Sequence, residues 1–216
     1  MTKPDILARI RATGVIPVIR APSATFALAA IDALCAGGVD LIELTMTVPS
    51  AIRLIEQVVE RHGDTVVVGA GTVLDAETAR SCMLAGARFI VSPIVDRPTI
   101  RACRTYDVPV IPGALTPTEV VRAWRAGADL IKVFPCSAVG GASYIKALRA
   151  PLPQIELVPT GGVTAATVAD YLAAGAYAVG AGADLVDIER LRRGDHAGIT
   201  DNARRYIAAI QQARTG

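Results

Sequence analysis

Three observations in the sequence predict an α/β chain folded as a (β/α)8 TIM barrel. A helix-like stretch ending in Ala-Gly, a short linker and a β-rich run recurs as CAGGVDLIELT, LAGARFIVSP, RAGADLIKVFP and AAGAYAVGAG. Glycine just past a helix end is a favoured C-terminal cap, and strands alternating with helices imply parallel strands with crossover connections. Eight such β-rich runs follow one another along the chain. The first βα unit carries no GxGxxG, and no ribose-binding acid follows it at the matching distance, which weakens the alternative of a doubly wound open sheet.

Taken in order, residues 5–12 read as a short preliminary helix with Ile6 and Ile10 on one face. The first strand is 15–20, the first barrel helix 23–35 and the second strand 40–45. The next helix, 50–61, follows Pro49 with Ser50 as a plausible N-cap. The third strand is 65–70, followed by a Gly-Thr turn and a helix with Asp75 and Glu77 in its first turn. The fourth strand is 89–92, the fifth 108–112, the sixth lies within 129–135, the seventh is 156–159 and the eighth 177–180. A closing helix is expected over 200–213.

With 216 residues, 52% of them hydrophobic and 19% charged, the sequence reads as one well-buried domain over 1–216, a short N-terminal helix included. A net charge of +2, with no basic run, argues against a nucleic-acid partner. The opening Met-Thr-Lys-Pro-Asp leads into an amphipathic segment, and no apolar run reaches spanning length, so no membrane partner is expected and a cytoplasmic enzyme is the simplest class. Cys35, Cys82, Cys103 and Cys136 form no CxxC pair and read as core fillers. His62 and His196, the only histidines, fall in a polar post-helix stretch and a charged glycine-containing loop. No catalytic metal is expected.

The stretch Asp129-Leu-Ile-Lys-Val-Phe-Pro135 sets a lysine inside a β-run. Side chains alternate along a strand, so Leu130, Lys132 and Phe134 share one face. If Ile131 and Val133 pack against helices, Lys132 points into the barrel, where desolvation favours the neutral, nucleophilic amine suited to a ketone. The plainer reading is a lysine that snorkels from a strand end. In the second strand, Glu43 faces inward if Ile42 and Leu44 face helices. Alternate strands share an interior layer, so Glu43 and Lys132 can meet, and a carboxylate there can move protons for an amine nucleophile. A self-neutralising ion pair is the alternative, though such pairs gain little in a core.

Thr72, in GAGTV, is placed either to bond a substrate carboxylate or hydroxyl or to cap a helix. Pro93 and Pro112 end strands and shape the mouth, and Phe134 offers an apolar wall or simple core. In Pro159-Thr160-Gly161-Gly162-Val163-Thr164 and Gly180-Ala-Gly182-Ala183-Asp184, glycine turns follow the seventh and eighth strands. Those loops are the usual phosphate site of such barrels, with amides at a helix opening as donors.

The ordered set PVIR, IELT, VGAGTV, IVSP, VIPG, IKVFP, YIKALRAPLP and PTGGV covers nearly the entire chain. It resembles the class I 2-keto-3-deoxy-6-phosphogluconate (KDPG) aldolases and the related 4-hydroxy-2-oxoglutarate and 2-keto-3-deoxy-6-phosphogalactonate aldolases. The resemblance implies Lys132 as Schiff-base lysine, Glu43 as acid/base, Thr72 as a pyruvate contact and Gly161 and Gly162 as the phosphate-binding pair; the loop reading adds Thr160 to the substrate contacts and Gly182, Ala183 and Asp184 to the phosphate site. It further implies reversible cleavage to pyruvate and glyceraldehyde 3-phosphate in Entner-Doudoroff carbohydrate metabolism, a homotrimer, and no cofactor. Two positions depart from the family pattern: Thr47 stands where an arginine is common, and Ala183 where a serine is common. Arg20, at the end of the first strand, has the parity to replace the missing guanidinium. Two other readings stay open: a phosphate-binding barrel without imine chemistry, such as a thiamin phosphate synthase or sugar-phosphate isomerase, and a non-catalytic binding module.

Overall fold

The computed structural model describes residues 1–215. Helix α1 (Lys3–Thr13) leads into β1 (Val15–Ile19), α2 (Ala24–Ala36), β2 (Leu41–Thr45), α3 (Ala51–His62), β3 (Val67–Gly71), α4 (Ala76–Leu84), β4 (Phe89–Val91) and α5 (Arg97–Thr105). There follow β5 (Val110–Ile111), β6 (Gly113–Ala114), α6 (Pro117–Ala126), β7 (Ile131–Val133), α7 (Ala142–Arg149), β8 (Leu157–Pro159), α8 (Val168–Ala173), β9 (Val179–Ala181), α9 (Ile188–Arg192) and α10 (His196–Thr215).

The strands pair in the orders β5-β4-β3-β2-β1-β9 and β6-β7-β8, and every named pairing is parallel. Two links close these arcs into a (β/α)8 barrel. A parallel bridge joins Thr160, after β8, to Gly180 of β9. On the other side the chain runs straight from β5 through Pro112 into β6, and the Pro112 carbonyl accepts the Lys132 N–H at 2.9 Å. β5 and β6 are thus one stave, expected as an unbroken strand over 108–112. Proline has no N–H to give the ladder, and the strand divides there.

Local chemistry moved other boundaries. Residues 63–65, assigned in part to the third strand, form a 3-10 turn, with the Thr65 hydroxyl donating to the His62 carbonyl; the strand starts at Val67. Ser50 sits at the N-cap position of α3 but has φ 57° and makes no side-chain cap bond. His62 is the last residue of α3, and His196 opens α10 rather than lying in a loop. Tyr177 precedes β9 and donates to the Leu7 carbonyl at 2.9 Å.

The barrel is filled from its N-terminal end. Ile16, Leu41, Val67, Phe89, Ile111, Leu130, Val158 and Ala178 form a buried apolar floor, closed from below by Ile6 and Ile10 of α1. That helix is fixed by a capping box at Thr2 and Asp5 and by a Lys3–Asp129 ion pair of 2.8 Å. The larger apolar cluster lies between strands and outer helices and includes Ile42, Leu44, Ile131 and Val133. Their outward packing turns Glu43 and Lys132 inward, as the alternation along each strand requires. No described helix is long and apolar enough to cross a membrane.

Phe89 is fully buried in the floor, its ring filling the space over Gly69. Phe89→Ala is expected to lower the unfolding free energy by about 3–5 kcal/mol. Equilibrium urea denaturation measures it, and a loss below about 1 kcal/mol would mean the ring does not support the floor.

Candidate active site

Two residues above the floor, each strand presents its next inward position. Three of these are glycines, Gly69, Gly113 and Gly180, and the charged ones are Glu43 and Lys132. Lys132 is 3% exposed and Glu43 2%. Lys132 Nζ stands 3.9 Å from Glu43 Oε1, and Oε1 has no hydrogen-bond donor among the described residues. A tight amine–carboxylate bond would measure about 2.7–2.9 Å. The pair is close enough to share a reacting group but is not locked to itself.

The space for this carboxylate comes from β3. A Cβ at Gly71 would lie 1.9 Å from Glu43 Oε1 and 2.4 Å from its Cδ, so any side chain there displaces the acid. On the other flank, Lys132 Nζ lies 5.4 Å from the centre of the half-buried Phe134 ring, a cation–π distance. Cys136, just beyond, is buried; burial pushes its thiol up to about 11. It stays protonated at neutral pH and is a poor nucleophile.

Thr72 directly follows β3 with φ 26°. A β-branched residue at positive φ is a strained outlier, the kind of backbone that clusters at functional sites. Helix α4 is capped instead by Asp75, whose side chain accepts from the Thr78 N–H, which removes the capping role considered for Thr72. Thr160 is buried, its hydroxyl lying where a Cβ on Gly180 would stand. Pro93 is half-buried at the end of β4, its backbone packed against Gly113. Thr47 and Arg20 are exposed at the same end. The Thr47 hydroxyl shares a 2.6 Å hydrogen bond with Thr45.

Gly161 and Gly162 have φ of 93° and 74°, left-handed values a side chain would resist. A Cβ at Gly162 would also strike Ser137 Oγ at 2.3 Å. Ser137 was not singled out from the sequence. Its N–H donates to the Gly161 carbonyl at 3.2 Å, extending the β7–β8 ladder into the loops. The N–H groups of Gly161, Gly162, Ala183 and Asp184 make no hydrogen bond with described residues. The helix openings expected at these loops are displaced: α8 starts only at Val168, after a turn held by Thr164 and Thr167, and α9 at Ile188. Any anion here meets loop amides rather than a helix end.

Among the described residues, no cluster of three or more His, Cys, Asp or Glu side chains is placed to hold a metal. Fold and site together define a class: a (β/α)8 enzyme with a lysine and a carboxylate opposed inside the barrel near the C-terminal ends of its strands. The chain belongs to the KDPG and KHG aldolase family, whose model matches residues 6–202; it is accordingly a lyase of the aldolase kind. It is 34% identical over 193 residues to the KHG/KDPG aldolase of Escherichia coli K12, covering 89% of this chain and 90% of the relative. To the 2-dehydro-3-deoxy-6-phosphogalactonate aldolase of the same strain it is 37% identical over 171 residues, 79% of this chain and 83% of the relative. The solved KDPG aldolase of Legionella pneumophila, with pyruvate captured as a covalent carbinolamine, superposes with a TM-score of 0.85 at 32% identity, covering 92% of this chain and 96% of that one.

Gly71→Ala is expected to leave a folded protein whose kcat falls about 100-fold, because an acid displaced by about 1 Å loses its alignment. Circular dichroism and steady-state kinetics on the same sample check this; unchanged kcat would mean the Glu43 position is not critical.

Proposed function

We propose that this protein is a class I aldolase that reversibly cleaves 2-keto-3-deoxy-6-phosphogluconate to pyruvate and glyceraldehyde 3-phosphate. The observation that carries the reading is the buried Lys132–Glu43 pair, 3.9 Å apart, with Oε1 free of any donor among the described residues. The Lys132 amine adds to the C2 ketone, giving a carbinolamine that loses water to form an imine. Glu43 removes the C4 hydroxyl proton directly or through water, the C3–C4 bond breaks, and its electron pair passes into the imine to form an enamine. Glyceraldehyde 3-phosphate departs. Glu43 then returns a proton to C3, and water releases pyruvate and the free amine.

In this reading Thr72, Thr160, Pro93 and Phe134 line the substrate, with Arg20 answering its charged end in place of the arginine absent at Thr47. The phosphate rests on the amides of Gly161, Gly162, Gly182, Ala183 and Asp184. The whole of 1–216 acts as one catalytic domain, in a cytoplasmic homotrimer serving an Entner-Doudoroff route, with no cofactor. The phosphogalactonate series is the second reading. Thr47 favours it, since the family members of that series resemble the arrangement here, and the phosphogalactonate aldolase of Escherichia coli is among the similar proteins. Turnover of the two C4 epimers side by side separates the series.

Borohydride reduction in the presence of pyruvate, followed by intact mass and peptide mapping, is expected to place a pyruvate-sized adduct on Lys132. Lys132→Ala should give none. A folded wild-type protein without an adduct would overturn the imine mechanism in favour of a phosphate-binding barrel or a non-catalytic module. Arg20→Ala is expected to lower kcat/KM about tenfold, or roughly 1.4 kcal/mol of transition-state binding. A change within about twofold, near 0.4 kcal/mol, would remove Arg20 from the substrate site.

A further inference from the structure

The two glycine loops are fastened by a residue far from both in sequence. Tyr206 of α10 is fully buried. Its hydroxyl lies 3.1 Å from the Val163 carbonyl, directly after Gly161–Gly162, and 2.7 Å from Asp184 Oδ2 in the loop after β9. The same Oδ2 accepts the Ala165 N–H at 3.3 Å, so Asp184 also ties one loop to the other. One turn earlier on α10, Asn202 donates its side-chain amide to the Asp184 carbonyl.

We propose that Tyr206 is a positioning residue for the phosphate site, holding the Gly161–Gly162 and Ala183–Asp184 amides at one fixed spacing and the Asp184 carboxylate turned away from the anion. The inference rests on the reading of these loops as the phosphate site. Both loops lack regular structure at their tips, and the left-handed Gly161 and Gly162 have no side chains to anchor the first of them. A buried hydroxyl without partners is costly, and this one shares its single proton between an acceptor on each loop, the shorter contact being to Asp184 Oδ2. Asp184 carries a negative charge beside amides meant for another negative charge. The tyrosine hydroxyl and the Ala165 N–H engage its Oδ2 and fix which way it faces. Burial, together with the adjoining Asp184, pushes the phenol above its ordinary range, so it remains a donor.

Tyr206→Phe keeps the ring and removes only the hydroxyl. Inorganic phosphate, titrated into wild type and variant while the backbone amide resonances of Gly161, Gly162, Ala183 and Asp184 are followed by NMR, is expected to bind the variant about tenfold more weakly. Trapping of pyruvate on Lys132 should proceed at the same rate in both proteins, and kcat/KM should fall for the phosphorylated substrate but not for 4-hydroxy-2-oxoglutarate. Equal phosphate affinities would overturn the proposal, and so would a parallel fall in trapping, which marks a general structural residue. If wild type shows no pyruvate adduct, the aldolase reading fails, yet the phosphate titration still decides the role of Tyr206. If wild type does not bind phosphate at these amides, the proposal falls with the phosphate site. Should Tyr206→Phe not fold, Asn202→Ala, which cuts the neighbouring tie to Asp184, is expected to weaken phosphate binding in the same direction, and unchanged affinity there would count against the brace.

Discussion

Holding a lysine and a glutamate together inside a barrel is the constraint on which this structure turns. Charges removed from water are costly, and their mutual attraction offsets that cost only at close, well-satisfied contact. At 3.9 Å, with one carboxylate oxygen lacking a donor among the described residues, Lys132 and Glu43 fall short of such contact. The rest of the fold supplies what the pair lacks. An apolar floor, closed by α1, fixes the strands beneath it, while glycines at inward positions give their space to the groups beside them, Gly71 to the Glu43 carboxylate and Gly180 to the Thr160 hydroxyl. Stability is concentrated at one end of the barrel and chemistry at the other.

The division explains what could be read from the chain. Alternation within β2 and β7 was enough to bring Glu43 and Lys132 inward, because the outward neighbours Ile42, Leu44, Ile131 and Val133 are apolar and must meet helices. Ordering of the β-runs was enough for the barrel. Boundaries failed where one side chain or missing N–H competes with regular structure, as at Pro112 and at the turn over 63–65. These effects are local and weak, and tertiary context decides them.

Ser137 and Tyr206 were missed for a different reason. Neither belongs to a motif, and each matters through partners distant in sequence: Ser137 against Gly162, Tyr206 against Val163 and Asp184. A signal existed for the tyrosine. It occupies the apolar stripe of α10 with Ile199, Ala203 and Ile210, all buried, and a phenol in such a stripe needs a partner for its hydroxyl. The stripe identifies the need but not the partner. Likewise, the glycine pairs were legible as loops, whereas the turn held by Thr164 and Thr167 that separates them from a helix was not.

The close fit of Gly71 to Glu43 bears on how such a protein can diversify. A methyl group added there meets the carboxylate at 1.9 Å, so the inner row of the barrel has almost no neutral neighbours in sequence space. Exposed rim positions such as Arg20 and Thr47 carry no such restriction, and substitutions of that kind usually change stability by no more than about 0.5 kcal/mol. Heritable change is therefore channelled to the rim, and the same inner row can be inherited intact by descendants that differ at their exposed end.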